Sequence, residues 1–383
     1  MYSEDMLEQL ALDKLGDNDW QPLHGTAVAP GSGERQNWKE IVLRQTLNEA
    51  VSKLNPEVPE EFLQQAIGEL LTPKSQDPIA ENMRIHEILV RGYKGIEYYD
   101  LDGKRQNPTI YFVSSNVDKN DYKVVNQIII RNVEYERRFD VVAYINGLPV
   151  AFFELKNPSG KSTAEEAFNQ LQTYVHEFPM AFRFANVVVA SDGIDARYGT
   201  PFTPLNHMSP WNVDDDGKPI KMDQPDSSGE IPLGLENVIW GVFNQVRFLQ
   251  LMREYTAFDD TERGLYMRIA KPHQYFAVTK AAGTTIQAVR SDGRAGVVWH
   301  TQGSGKSMEM EMYTAKVMRA PELESPTIIV INDRTELDGQ LYSTFLASTL
   351  LPEKPRQIED RDDLRTALAT RTSGGIYFTT LQK

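Results

Sequence analysis

RRFDVVAYINGLPVAFFELKN, residues 137–157, consists of two runs rich in β-branched and aromatic residues on either side of Asn146-Gly147. That dipeptide supplies the positive backbone angles of a tight hairpin turn, so two antiparallel strands are predicted. Glu154 and Lys156 are one residue apart in the second run. On a strand they point to the same face, about 7 Å apart. A carboxylate and an ammonium on an otherwise apolar strand are costly to bury unless they pair, bind metal or do chemistry. Asp140 lies on the partner strand, and the loop decides which face it joins. A two-residue turn pairs Ile145 with Leu148 and turns Asp140 away from Glu154. A three-residue loop of Asn146, Gly147 and Leu148 pairs Ile145 with Pro149 and sets Asp140 opposite Glu154, so this loop or an equivalent bulge is predicted. Asp140, Glu154 and the Leu155 carbonyl then form an oxygen donor set suited to Mg²⁺. Such an ion activates water and stabilises the charge of a phosphodiester displacement, with Lys156 orienting the water or neutralising developing charge.

Working outward, residues 162–177 are expected to form a helix that presents Gln170 and Tyr174 on one face. The segment NVVVASDG reads as a buried strand. Upstream, YKVVNQIIIRNV is another strand, and Asp102-Gly103 marks a smaller hairpin. The apolar spacing of Met6, Leu7, Leu10, Ala11 and Leu15 predicts an N-terminal helix capped by Ser3. Helix-like stretches run from Trp38 to about Leu71, broken at Asn55-Pro56, and again from Met83 to Val90. Residues 199–232 are rich in Pro, Asp, Gly and Ser and read as a loop excursion. One or two amphipathic helices follow, over residues 236–256.

A second α/β pattern starts near residue 259. The helix-like HQYFAVTKAAGTTIQAVR precedes an apolar run, AGVVWH, expected to be a strand. TQGSGKS follows, then a helix, the strand PTIIVIN, another helix and the strand GGIYFTT. The alternation implies a parallel sheet. Backbone N–H groups of Gly303, Ser304, Gly305 and Lys306 are placed to converge on a phosphate at a helix N-terminus. Lys306 would reach the outer phosphates of ATP and Ser307 would ligate its Mg²⁺. His300 occupies the position where the strict P-loop pattern has its first glycine, and it reads as a packed strand-end residue.

Composition bounds the rest. The 383 residues carry 40 Lys+Arg and 54 Asp+Glu, a formal net charge of -14, with 40% hydrophobic and 10% aromatic residues. That excludes a disordered chain and argues against DNA binding through overall charge. Cysteine is absent, which removes disulfides and thiolate metal sites. The six histidines are scattered along the chain, arguing against a transition-metal site. The acidic N-terminus lacks the features of a signal peptide and no apolar run is long enough for a membrane span, so a cytoplasmic protein without membrane association is expected.

The spacing FD-x(13)-ELK, with the Gln170/Tyr174 helix, resembles the PD-(D/E)xK nuclease superfamily, with Phe139 where that superfamily often has Pro. The resemblance implies a carboxylate on the first helix closing one side of the metal pocket; Glu8 is the candidate and Glu4 the alternative. The form TQGSGKS, Thr301 to Ser307, resembles motif I of superfamily 2 helicases and translocases, which implies an adenine-reading Gln at Gln274. Asp333, Arg334 and Gln340 resemble motif Ia, and IYFTTLQK the motif Ib region.

Both sites in this order, together with YSEDMLEQLAL, HQYFAVTKA and NDRTELDGQL, resemble the restriction (R, HsdR) subunit of type I restriction-modification enzymes. The resemblance implies a PD-(D/E)xK endonuclease domain over 1–258 and the first RecA-like motor domain over 259–383. It also implies Mg²⁺ and ATP as cofactors, and double-stranded DNA and the modification and specificity subunits as partners. Its activity would be ATP-driven translocation with cleavage distant from the recognition sequence. No DExx box or arginine finger follows Lys306, so an N-terminal fragment that binds nucleotide without turning it over is expected. The rival readings are a non-catalytic DNA-binding or assembly module and another superfamily 2 helicase-nuclease.

Overall fold

The structure, a computed structural model, describes residues 3–157, 163–225, 229–333 and 335–382. The chain divides into two compact units between Arg253 and Glu254. In the first unit, helix α1 (Glu4–Asp17) is capped by the Ser3 hydroxyl, which accepts from the Met6 N–H. It leads into β1 (Gln21–His24), then α2 (Arg44–Leu54), α3 (Glu60–Leu71) and α4 (Pro78–Arg91). A two-residue hairpin, β2 (Tyr98–Tyr99) and β3 (Arg105–Gln106), forms around Asp102-Gly103. The central strands are β4 (Tyr122–Arg131), β5 (Glu136–Ile145) and β6 (Leu148–Leu155). They are followed by α5 (Ala164–Glu177), α6 (Pro179–Phe182), β7 (Val187–Ser191), β8 (Ala196–Gly199), α7 (Gly234–Val242) and α8 (Gln245–Glu254). The predicted helix start at Ser162 lies outside the described residues.

Six of these strands form one mixed sheet in the order β1-β4-β5-β6-β7-β8. β1 and β4 run parallel, as do β6 and β7, and the other neighbours are antiparallel. Every residue of β6 and β7 is buried, as expected for strands covered on both faces. α5 packs on β6 and β7, and α1 on β1, β4, β5 and β6, so the core lies on both faces of the sheet. Phe139 anchors it. Its ring lies 5.3 Å from Phe152, 5.2 Å from Tyr174 and 5.8 Å from Phe182, each edge-on. Burying a ring of this size contributes roughly 1.5–3 kcal/mol.

The hairpin differs from the predicted three-residue loop. Ile145 pairs with Leu148 and Tyr144 with Pro149, leaving a two-residue Asn146-Gly147 turn. The register then shifts, and Ala143 pairs with Ala151, Val142 with Phe152 and Val141 with Phe153. Val150 is the extra residue of a β-bulge, the alternative device that also sets Asp140 toward Glu154. The turn is short because it is buried and anchored. Asn146 donates from Nδ2 to the Phe112 carbonyl and to Asn120, and its Oδ1 accepts from the Asp121 N–H. Gly147 adopts φ +78, and a Cβ there would stand 2.4 Å from the Leu43 carbonyl oxygen.

The second unit contains β9 (Thr256–Thr261), β10 (Gly264–Ile269), α9 (Pro272–Val289), α10 (Lys306–Arg319), β11 (Ile328–Asn332), α11 (Thr335–Ala347), β12 (Arg356–Gln357), α12 (Arg361–Thr370) and β13 (Ile376–Thr380). β11, β13 and β12 form a parallel sheet in that order, as the alternating pattern predicted. The antiparallel β9–β10 hairpin was not anticipated. AGVVWH is not a strand. No neighbouring strand pairs with it among the described residues, and Val297 and Trp299 are largely exposed, so apolarity alone did not make it part of a sheet. No helix among the described residues is long and apolar enough to cross a membrane.

Candidate functional site

The bulge brings β5 and β6 together so that Asp140, Glu154 and Lys156 meet. The Leu155 N–H donates to Asp140 Oδ2 at 2.8 Å, and Lys156 Nζ donates to Glu154 Oε1 at 2.6 Å. The Lys156 N–H donates to the Ser191 carbonyl of β7, which fixes the backbone beyond the strand end. Glu154 is fully buried, and its second oxygen, Oε2, has no hydrogen-bond partner.

Electrostatics follow from this burial. Loss of water and the neighbouring Asp140 push the Glu154 carboxyl up to about 8, with Lys156 acting in the other direction. Burial also raises Asp140, partly offset by the Leu155 N–H and Lys156. For Lys156, burial opposes the charge, but its hydrogen bond to Glu154 and the surrounding carboxylates outweigh it and hold the ammonium above its usual value. A cluster of acids with raised values beside Lys156 and Arg138 is an arrangement found at reactive sites.

α1 lays Glu8 against this cluster. Glu8 is buried, accepts from Asn126 Nδ2 at 3.3 Å and is raised by burial and by Asp140. Glu4, one turn earlier, is exposed, although its charge is felt by Asp140, Glu154 and Lys156. On α5, Gln170 Nε2 donates to the Tyr174 hydroxyl. Burial and then Glu154 push that phenol up to about 12.

Two residues of β4 that the sequence reading passed over also belong here. Asn126 holds Glu8, and Gln127 hydrogen-bonds to the same carboxylate while its own backbone adopts φ +52. A glutamine in that conformation in mid-strand stores strain. Neither carries a sequence signal beyond a pair of polar residues within an apolar run. Arg131 is bound to Glu136 at 2.5 Å and Arg137 to Glu177 at 2.6 Å.

The second unit holds the other predicted set. Gly303 at φ +83 and Gly305 at φ +90 shape a loop that ends as the cap of α10, and Thr301, Lys306 and Ser307 are exposed around it. Lys306 Nζ donates to the His300 and Thr301 carbonyls, each at 2.9 Å. The Ser304 hydroxyl is buried without a partner. Gln274 is buried at the start of α9. Its Oε1 accepts from the Lys271 N–H, and its Nε2 donates to the Ser304 carbonyl at 3.3 Å. A cleft of about 670 Å³ opens between α9, residues 295–300 and α10, with Lys306 in its wall and Gln274 outside its lining. Asp333 and Gln340 are exposed, and Arg334 lies outside the described residues.

Comparisons with known proteins bear on both units. Residues 1–207 match the family described as type I restriction enzyme R protein N terminus, and residues 273–383 match the SWI2/SNF2 ATPase family. The chain is 35% identical over its whole length to the type I restriction enzyme HindI endonuclease subunit of Haemophilus influenzae, of which it covers 36%. It is 30% identical over 99% of its length to a Methanocaldococcus jannaschii protein provisionally named as the type I restriction enzyme MjaIXP endonuclease subunit, covering 37% of it. A Staphylococcus aureus relative, the SauCOLORF180P endonuclease subunit, is 27% identical over 59% of the chain. The chain thus spans about a third of the length of the curated relatives that match it throughout. With a family model covering more than half of its residues, the chain belongs to the type I restriction enzyme R protein family.

Proposed function

We propose that the first unit is a PD-(D/E)xK-type endonuclease domain that hydrolyses phosphodiester bonds of double-stranded DNA with Mg²⁺. The second unit, on this reading, is the ATP-binding start of a DNA-translocating motor. The observation that carries the nuclease reading is the bulge-set meeting of Asp140, Glu154 and Lys156, with a buried Glu154 oxygen left without a partner. The donor set fits the ion. Asp140 and Glu154 supply carboxylate oxygens and Leu155 a backbone carbonyl, and hard oxygen donors suit Mg²⁺. When bound, Mg²⁺ supplies a polarised water and charge stabilisation at the phosphate.

The chain's own residues do the rest. Lys156, held by Glu154, presents an ammonium where negative charge grows on the phosphate and orients the attacking water. Glu8 closes the side of the pocket nearest α1. Tyr174, seated on Phe139 and bonded to Gln170, lines the site with a hydroxyl that stays protonated and can donate to a DNA phosphate. In the second unit, the glycines at positive φ let backbone N–H groups of residues 303–306 face an ATP phosphate. Lys306 moves from the His300 and Thr301 carbonyls onto the nucleotide, and Ser307 offers its hydroxyl to the accompanying Mg²⁺. Grip on DNA and choice of target come from modification and specificity subunits, consistent with the paired state of Arg131 and Arg137.

Lys156→Ala in the complete R subunit, assembled with its partners, tests the nuclease reading. Cleavage is expected to fall by at least ~10²-fold while ATP hydrolysis and translocation persist. Cleavage at the unmodified rate refutes this assignment of the site.

A further inference from the structure

Three side chains outside both proposed sites converge in the second unit. His273 stands in the first turn of α9, His300 immediately precedes the phosphate loop, and Glu309 stands in the first turn of α10. Their ligand atoms all lie within 4.8 Å of one another. His300 Nδ1 is 2.7 Å from Glu309 Oε1, and His273 Nε2 is 3.8 Å from the same oxygen. The two imidazole rings meet edge-on at 5.3 Å. Two of the histidines whose scatter along the chain argued against a transition-metal site are therefore neighbours in space.

We propose that His273, His300 and Glu309 form a binding site for a divalent transition-metal ion of the Zn²⁺ or Co²⁺ class, separate from the Mg²⁺ positions at Asp140/Glu154 and at Ser307. Two imidazole nitrogens and one carboxylate oxygen favour such an ion over Mg²⁺, which prefers oxygen donors alone. A tetrahedral ion about 2.0–2.1 Å from each donor needs donors roughly 3.3 Å apart. The observed separations bracket that value, so side-chain adjustment brings all three into place. Glu309 is almost fully buried, which fixes the carboxylate, whereas His273 and His300 are partly exposed and leave a path for entry. Three protein ligands leave the fourth position to water.

The ion ties together the start of α9, the entrance to the phosphate loop and the first turn of α10. His273 Nε2 also lies 2.9 Å from the Ser304 carbonyl, so coordination through that nitrogen exchanges its hydrogen bond to the loop for a bond to metal. This site is independent of the nuclease reading and stands or falls without it.

The test uses the full 383-residue chain carrying Asp140→Asn and Ser307→Ala, which weaken the Mg²⁺ positions. Titration with Co²⁺ alone is expected to give one ion per chain with visible ligand-field absorption of a tetrahedral site. Adding His300→Asn, which retains a hydrogen-bond donor for Glu309, is expected to weaken Co²⁺ binding at least about 10-fold. X-ray absorption of Zn²⁺ on the unsubstituted chain needs no variant of the cluster and is expected to show two imidazole ligands. Failure to bind Co²⁺, binding unchanged by His300→Asn, or a Zn²⁺ spectrum without imidazole scattering would each overturn the proposal.

Discussion

Gln127 sits in the middle of β4 with its backbone at φ +52 and its side chain on Glu8. A non-glycine residue in that conformation costs about 1–3 kcal/mol and is retained where its side chain is needed. Gln127→Gly is expected to raise stability in urea unfolding by about 1 kcal/mol while lowering DNA cleavage by the assembled enzyme. A loss of stability would show that the glutamine serves packing rather than the site. Glu154 makes a second test. Its carboxyl is raised from the ordinary range to about 8, so its neutral form stabilises the metal-free fold below pH 4.5, and that contribution is lost as pH rises through 8. The stability of the unsubstituted chain relative to Glu154→Gln is therefore expected to decline between pH 5 and pH 8 in chelator, by up to about 1.4 kcal/mol per pH unit. A pH-independent difference in melting would contradict the raised value.

At the scale of elements, the β5–β6 hairpin depends on one glycine. Gly147→Ala places a methyl 2.4 Å from the Leu43 carbonyl oxygen and 2.8 Å from the Leu47 N–H in a backbone conformation unfavourable for alanine. It is expected to cost at least about 2 kcal/mol in denaturant unfolding; a neutral result would mean that the turn rebuilds freely. The strands of this hairpin were legible because β-branched runs around Asn-Gly have few alternative structures. The length of the loop was not, because it is set by Phe112, Asn120 and Asp121, which close around Asn146 from distant parts of the chain. Functional side chains spaced within one element, such as Glu154 with Lys156 and Gln170 with Tyr174, could be read from strand and helix periods. Asn126 and Gln127 could not, since only the docking of α1 gives them a partner. AGVVWH was misread because apolarity marks the wish to be buried, whereas a strand also requires a neighbour. The β9–β10 hairpin was missed because its charged turn resembles an ordinary loop.

For the molecule as a whole, the net charge of -14 opposes the approach of a phosphate backbone, and Arg131 and Arg137 are each paired with a carboxylate. The chain alone is expected to bind duplex DNA weakly. Its affinity should fall with salt along a log–log slope of only about -2 to -3, the release expected from two or three phosphate contacts. Fluorescence anisotropy over a range of salt concentrations measures this slope. A value near -8 would reveal an extensive basic surface that the charge distribution does not suggest.

The single extra residue at Val150 makes the alignment of the two carboxylates a matter of parity. Strand faces alternate with each residue, so adding or removing one position within the paired stretch of either strand sends one of them to the far side, whereas a change of two restores the match. Descent within the family can therefore lengthen or shorten these strands only in even steps, unless the turn changes length or a second bulge arises at the same time. A relative whose gap differs from these thirteen residues by one therefore needs a compensating change in its turn or its bulge to keep both carboxylates on one face.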